Sequence, residues 1–251
     1  MSQIYEIAPD VYRFSIYVPE INLAFNHFVV KDDEPLLFHT GSRAMFPALK
    51  EMVAKVIDPA KIRWIGFSHF ETDECGALNH WLQVAPNATP VHGMIGCLVN
   101  LNDFSDRIPK MLNPDETLST GKYRYRFVHT PQLPHGWDAG VLFEESQRTL
   151  FCSDLFHQEG DVEPMTTSDI IGRCRQVLTA YQKSPLANYI PYTPVTGRLM
   201  EGVANLNPRT LAIMHGSSFS GNGAQAVRDL SALFKEVLGT EATAQTASSF
   251  A

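Results

Sequence analysis

Two groups of short alternating strands, each followed by amphipathic helices, predict an α/β chain folded as a four-layer αββα sandwich, with two sheets face to face and helices outside. Three observations carry this: strict alternation over residues 11–39, a second run of strands over 122–153, and helical spacing after each group. Periodicity alone leaves other α/β folds open. With 251 residues, 44% hydrophobic and 19% charged, the chain is expected to form one domain over 1–240, with a small, polar, frayed tail at 241–251.

The strands begin with Val11-Tyr-Arg-Phe-Ser-Ile-Tyr-Val18, Asn22–Val30 and Pro35–His39, rich in β-branched and aromatic side chains. Polar breaks at Pro19-Glu20 and 31–34 read as hairpin turns, so these strands should run antiparallel. Apolar residues at 45, 46, 49, 52, 53 and 56 mark one buried helix face. A strand over Ile62–Phe67 then delivers Ser68-His-Phe-Glu-Thr-Asp-Glu74, in the post-strand position where α/β proteins carry function. A helix is expected over Gly76–Val84, a short strand over Thr89–His92 and a weak helix over Gly93–Leu101. Residues 102–118 are poorly patterned and read as a flap over the site. Strands follow at Lys122–His129, Ala139–Phe143 and Thr149–Ser153, with Glu144–Gln147 as a turn. Ser168–Tyr181 is a helix opened by a capping Ser/Asp pair, Leu211–Met214 a buried strand, and Ala224–Leu238 the last helix.

A formal charge of −7 argues against nucleic acid as a partner, and Lys122-Tyr-Arg-Tyr-Arg126 is too short a basic stretch to alter that. No apolar run approaches the roughly 20 residues of a membrane span, and MSQIYEIAPD lacks the regions of a signal peptide, so no membrane contact and a cytoplasmic location are expected. Cys75, Cys97, Cys152 and Cys174 form no C-x-x-C and read as reduced, buried thiols. Gly216 and Gly221-Asn-Gly223 match neither phosphate-loop order, so no nucleotide site is expected.

The chemistry concentrates at His69, Glu71 and Asp73, spaced i, i+2, i+4 after a strand, so that an extended loop can aim them at one point, with Glu74 beside them. His135 in Leu133-Pro-His-Gly-Trp137, Asp154 in Phe151-Cys-Ser-Asp-Leu155 and His215 in Ile213-Met-His-Gly-Ser217 each follow apolar, strand-like residues. Three imidazoles with three or four carboxylates and no sulfur suit iron, manganese or zinc. The negative charges of Glu71, Asp73, Glu74 and Asp154 balance two divalent ions and favour iron. His27, His39, His80, His92, His129 and His157 read as structural or supporting, with His92 placed to line the pocket and His129 and His157 to hydrogen-bond ligating groups. Phe70, Trp137, Phe156 and Phe219 flank the proposed ligands and could exclude water.

These residues resemble the diiron branch of the metallo-β-lactamase superfamily: the diiron domain of flavodiiron proteins and the stand-alone oxygen-binding diiron proteins. The family pattern His-x-Glu-x-Asp-His stands here as His69-Phe-Glu-Thr-Asp-Glu74, and His135, Asp154 and His215 follow in matching order and context over roughly residues 5–240. The resemblance implies a metallo-β-lactamase-like sandwich, with one iron held by His69, Glu71 and His135, a second by Asp73 and His215, and Asp154 bridging. Glu74 departs from the usual histidine; it is expected to ligate the second iron, the alternative being water there and a supporting role for the carboxylate.

The implied function is that of a non-haem protein with two iron ions (Fe2+/Fe3+) that binds O2 or NO, as a sensor, carrier or partner-dependent reductase. The resemblance places the end of this chain where a flavodiiron protein continues into a flavodoxin domain, so no FMN site is expected and an external reductase or flavodoxin-like donor is implied, together with a homodimer. The alternative is a dinuclear zinc hydrolase of the same superfamily, acting on an ester, thioester, lactone or phosphodiester through a metal-bound hydroxide. Glu71 and Glu74 both argue against the histidine-rich set of those hydrolases.

Overall fold

The alternating residues of the first forty positions pair as the pattern demands. In the computed structural model, which describes residues 2–239, β1 (Ser2–Ala8), β2 (Val11–Val18), β3 (Leu23–Val30) and β4 (Leu36–Phe38) run antiparallel in sequence order. The tail expected to fray at 241–251 lies outside the described residues. β5 (Trp64–Gly66), β6 (Thr89–Gly93) and β7 (Lys110–Leu112) then add in parallel, completing a seven-stranded sheet in the order β1 to β7.

The second sheet has the order β12-β14-β13-β11-β10-β9-β8. Its strands are β8 (Thr117–Ser119), β9 (Arg124–His129), β10 (Gly140–Glu144), β11 (Thr149–Phe151), β12 (Met165–Thr166), β13 (Thr210–Ala212) and β14 (Ser218–Ser220). β11 and β13 are parallel neighbours. Residues 102–118, expected as a flap, instead supply the edge strands β7 and β8 and carry the chain from one sheet to the other.

Period-2 alternation sorts the side chains into three cores, one per layer interface. Val29 and Leu37 face outward, packing with Leu49, Met52 and Val53 of α1 (Phe46–Val53) and Leu78, Trp81 and Leu82 of the helix over Leu78–Val84. Their neighbours Phe28, Val30, Leu36 and Phe38 face inward and meet Tyr125, Phe127, Leu142, Phe151 and Ala212 of the second sheet. The next residues along, Val141, Phe143, Leu150, Leu211 and Ile213, face the far side and pack on the helices over Ile171–Tyr181, Thr196–Asn205 and Gly223–Val237. This is the αββα sandwich.

Helix α2 (Thr72–Cys75) is a single turn, followed by α3 (Leu78–Val84), α4 (Met94–Gly96), a π-helical stretch over Cys97–Leu101, and α5 (Asn102–Phe104). The predicted capping aspartate opens α6 (Ile171–Tyr181): Asp169 Oδ1 accepts from Ile171 N at 2.8 Å. α7 (Thr196–Asn205), unpredicted, and α8 (Gly223–Val237) complete the outer layer. The four cysteines are free and buried. Among the described residues, no helix is long and apolar enough to cross a membrane.

Candidate metal centre

The candidate ligands stand beyond the ends of strands, on loops except for Asp73 and Glu74, which lie on α2. His69 and Glu71 follow β5, His135 lies between β9 and β10, Asp154 follows β11 and His215 follows β13. Backbone bonds stitch the two sheets together here: Gly140 N donates to Ser68 O and Asn26 N to Met214 O. Asn26 Nδ2 also donates to Ile213 O and Gly216 O, both at 2.8 Å, which clamps the His215 loop onto β3. Gly216 is at φ +110°, and a Cβ there would meet Gln158 at 2.5 Å, so the turn after His215 needs glycine.

The structure brings six of the seven expected residues together, in two unequal halves. In the first, ligand atoms of His69, Glu71, His135 and Asp154 all lie within 4.8 Å of one another. Both His69 Nε2 and His135 Nε2 are 2.8 Å from Glu71 Oε2, and both face Asp154 Oδ2, at 3.7 and 3.6 Å. In the second, His215 Nε2 lies 3.4 Å from Asp73 Oδ2 and 3.2 Å from Asp154 Oδ1. Asp154 thus turns one oxygen to each half, and Oδ1 is buried without a hydrogen-bond partner.

The ring orientations suit metal binding, since a ligating imidazole commonly donates its other N–H to a fixed acceptor. His215 Nδ1 donates to Ala24 O at 2.9 Å, leaving Nε2 for the centre. His69 Nδ1 is 3.0 Å from Ser153 Oγ, whose hydroxyl donates to Glu74 Oε1 at 2.9 Å. This relay leaves His69 Nε2 free to face the cluster.

Glu74, expected to ligate, stands apart from the six. Its Oε2 accepts from Ser68 N and His69 N, both at 2.8 Å, while Oε1 takes Ser153 and lies 3.4 Å from both His39 Nε2 and His69 Nδ1. The carboxyl therefore sits behind His69, on the ring edge turned away from the centre. The cause is local. The segment is extended only as far as Glu71 and then coils into α2, correcting the fully extended loop expected from the sequence. Successive helical side chains point about 100° apart, so Asp73 and Glu74 cannot both face one point.

Charge in this region is balanced by protons in the absence of metal. Burial disfavours the His69 imidazolium, but Glu74, Glu71 and Asp154 together raise it to about 10. His135 and His69 hold Glu71 down at about 2. Burial raises Glu74 to about 8. Against the penalty of burial, His215 holds Asp154 far below the carboxylate range, and Asp154 and Asp73 hold His215 well above the imidazole range. Three carboxylates and three imidazoles without a lysine or arginine among them form a set in which cations can replace those protons, so the residues fit a bound metal pair.

The centre opens into a cavity of about 600 Å³ with Leu23, Phe25, Met45, Leu186, Tyr181 and Tyr189 in its wall. Phe25 meets His215 edge to face at 5.2 Å. These residues come from distant segments, and the sequence offered no signal for them. Of the aromatics expected to screen the site, Trp137 and Phe70 are exposed, Phe219 packs against the helical core, and Phe156 is buried beside Asp154 in a small recess. His92 does not line this cavity; it is buried between Phe67 and Phe127, and burial lowers it to about 4. His129 Nε2 bonds Trp137 O rather than a ligand. His157 does reach the cavity, and burial lowers it to about 3, leaving the ring neutral.

Residues 23–216 match the model of a family described as "ODP family beta lactamase". The chain is 26% identical over 203 residues, 78% of its length, to a rubredoxin-oxygen oxidoreductase of Megalodesulfovibrio gigas, and spans 49% of that protein. Among solved structures, a rubredoxin oxygen:oxidoreductase from Desulfovibrio gigas superposes with a TM-score of 0.78 at 22% identity, over 92% of this chain and 61% of that one. A fragment of a putative diflavin flavoprotein from Nostoc superposes with a TM-score of 0.74 at 19% identity, over 94% and 97% of the two chains.

Proposed function

The chain belongs to the ODP beta-lactamase family, and from that premise we propose that its centre is a non-haem diiron site that binds O2 or NO. The observation that carries this reading is Asp154, whose two oxygens face two separate clusters of nitrogen and oxygen donors. His69, Glu71 and His135 would hold one ion and Asp73 and His215 the other, with Asp154 shared. Bound there, iron would supply electrons and exchangeable positions for a diatomic gas.

The surrounding residues would do the rest. Leu23, Phe25, Met45 and Leu186 present apolar surface to the cavity and would disfavour bulk water beside a small uncharged ligand. The hydrogen bonds to His69 Nδ1 and His215 Nδ1 would hold both rings in one tautomer. Reduction of O2 to water takes four electrons and two ferrous ions supply two, so turnover would draw on an external donor. Relatives of this chain include a rubredoxin-oxygen oxidoreductase and an anaerobic nitric oxide reductase flavorubredoxin, which supports that class of chemistry. The chain spans half or less of those proteins, and its own electron donor is proposed by chemistry alone.

Anaerobic loading with ferrous iron, followed by O2, tests the proposal. A visible band that appears with O2 and reverses on its removal is expected of a carrier or sensor; sustained uptake with reductant is expected of a reductase. Metal analysis giving two equivalents of zinc and negligible iron, with zinc-dependent ester or phosphodiester cleavage, would replace it with hydrolysis.

A further inference from the structure

The two halves of the centre are unequally supplied, and one buried imidazole next to the poorer half is unused. The first half has His69, Glu71 and His135 of its own; the second has only Asp73 and His215, because Glu74 is committed to Ser68 N, His69 N and Ser153. We propose that His157 completes the second half, as a metal ligand alongside Asp73, His215 and the shared Asp154. The inference rests on the dinuclear reading above.

Four observations support it. His157 is 92% buried and lines the same cavity as Asp73, Asp154 and His215. Its Nε2 is buried and has no hydrogen-bond partner. Other buried rings, those of His27, His39 and His92, also carry unpartnered nitrogens, but none of them lines that cavity. Its ring lies 4.7 Å from that of His215, tilted by only 35°, so the two imidazoles stand side by side. Edges of Tyr181 and Tyr189, at 5.4 and 6.0 Å, hold it there.

The backbone is built to present this ring. Ser153 and Phe156 both adopt left-handed conformations, at φ +55° and +66°, on either side of Asp154 and immediately before His157. Such a conformation is strained for a residue as bulky as phenylalanine, and it persists where the surroundings enforce it. Gln158 enforces it: its backbone N donates to His215 O, and its side chain donates to Phe156 O and Ser217 O. The loops that carry His157 and His215 are thereby one unit.

The experiment is anaerobic titration of the metal-free full chain with ferrous iron, counting equivalents by calorimetry. It compares the unaltered protein with His157→Ala, the bulkier His157→Gln and Glu74→Gln. Both His157 variants should bind the first equivalent normally and the second at least about 10-fold more weakly. The retained first equivalent is the internal check that the variants fold. Free imidazole should restore the second equivalent to His157→Ala, which a merely structural role would not allow. Pulsed EPR of the one-electron-oxidised pair should lose one nitrogen coupling in both His157 variants and none in Glu74→Gln. Two unchanged equivalents in His157→Ala, or loss of the second only in Glu74→Gln, would overturn the assignment of His157. An unaltered protein that binds a single equivalent would instead overturn the dinuclear reading itself.

Discussion

The two halves of the centre differ in exposure as much as in ligand number. In the outer half Glu71 and His135 leave 48% and 26% of their side chains accessible although His69 leaves 2%, whereas Asp73 and His215 leave 17% and 5% and the shared Asp154 6%. The outer half is a cluster that solvent reaches, ordered by the relay from His69 through Ser153 to Glu74. The inner half lies under Phe25 and beside the two tyrosines, where the carboxylates of Asp73 and Asp154 are poorly solvated and gain from a positive partner. The two oxygens of Asp154 thus face one cluster that is partly open to solvent and one that is more enclosed.

Asp154→Asn should have the largest effect, since it removes the one carboxylate that faces both halves. Ferrous binding is expected to weaken by more than about 100-fold at both positions, beyond the usual loss for a supporting contact. Retention of one tight equivalent would mean that the halves are independent.

Glu74→Ala should come next and act on the outer half. It leaves the N–H groups of Ser68 and His69 buried without an acceptor, a loss of about 1–3 kcal/mol each that urea unfolding of the metal-free chain would measure. It also frees the His69 ring, so the first equivalent should weaken by about 10- to 100-fold. An effect confined to the second equivalent would return Glu74 to the ligands.

The pH dependence of the metal-free chain sharpens the same contrast. His69 is raised to about 10, so its contribution is complete below the ordinary imidazole value of 6.5 and is lost as pH climbs through 10. Glu74, raised to about 8 by burial, likewise loses stability as pH rises from 4.5 toward 8. Glu71, held at about 2, contributes above 4.5 and loses that contribution as pH falls through 2. These groups together should make the metal-free chain most stable on the acid side of neutrality. Metal should move that optimum upward, because it replaces the protons on His69 and His215. Thermal unfolding across pH, with and without metal, reads both outcomes; a metal-free optimum above pH 8 would contradict them.

Trp137→Ala should have the smallest effect. The ring is 70% exposed although it stands two residues from His135, so stability should change by about 0.5 kcal/mol or less, with both equivalents of metal retained. A larger loss of metal would show that the outer half is screened after all.

Much of this was legible in the chain itself. Alternation over 11–39 is a local property, set by which face of a strand each residue occupies, and it foretold β2, β3 and β4 and their antiparallel pairing. The order of residue types at 69, 71, 73, 135, 154 and 215 picked out side chains that the fold brings together. Other elements left no such trace. α7 contains Gly197 and Gly202, which weaken its helical signal, and β12 and β14 are too short to show alternation and exist through their pairing. Residue type alone aims Glu74 at the same point as Asp73, and the rotation of the single turn α2 carries it behind His69.

The sequence by itself determined the layers and the donor types, because periodicity and side-chain chemistry are carried by residues near one another in the chain. The tertiary structure alone decided which atoms face one another. It split the oxygens of Asp154 between two clusters, turned Glu74 behind His69, and set His157 against His215, 58 residues away. Those outcomes depend on distances between loops from two different sheets, fixed by the inter-sheet core of Phe28, Phe38, Tyr125 and Phe151, and no local pattern encodes them.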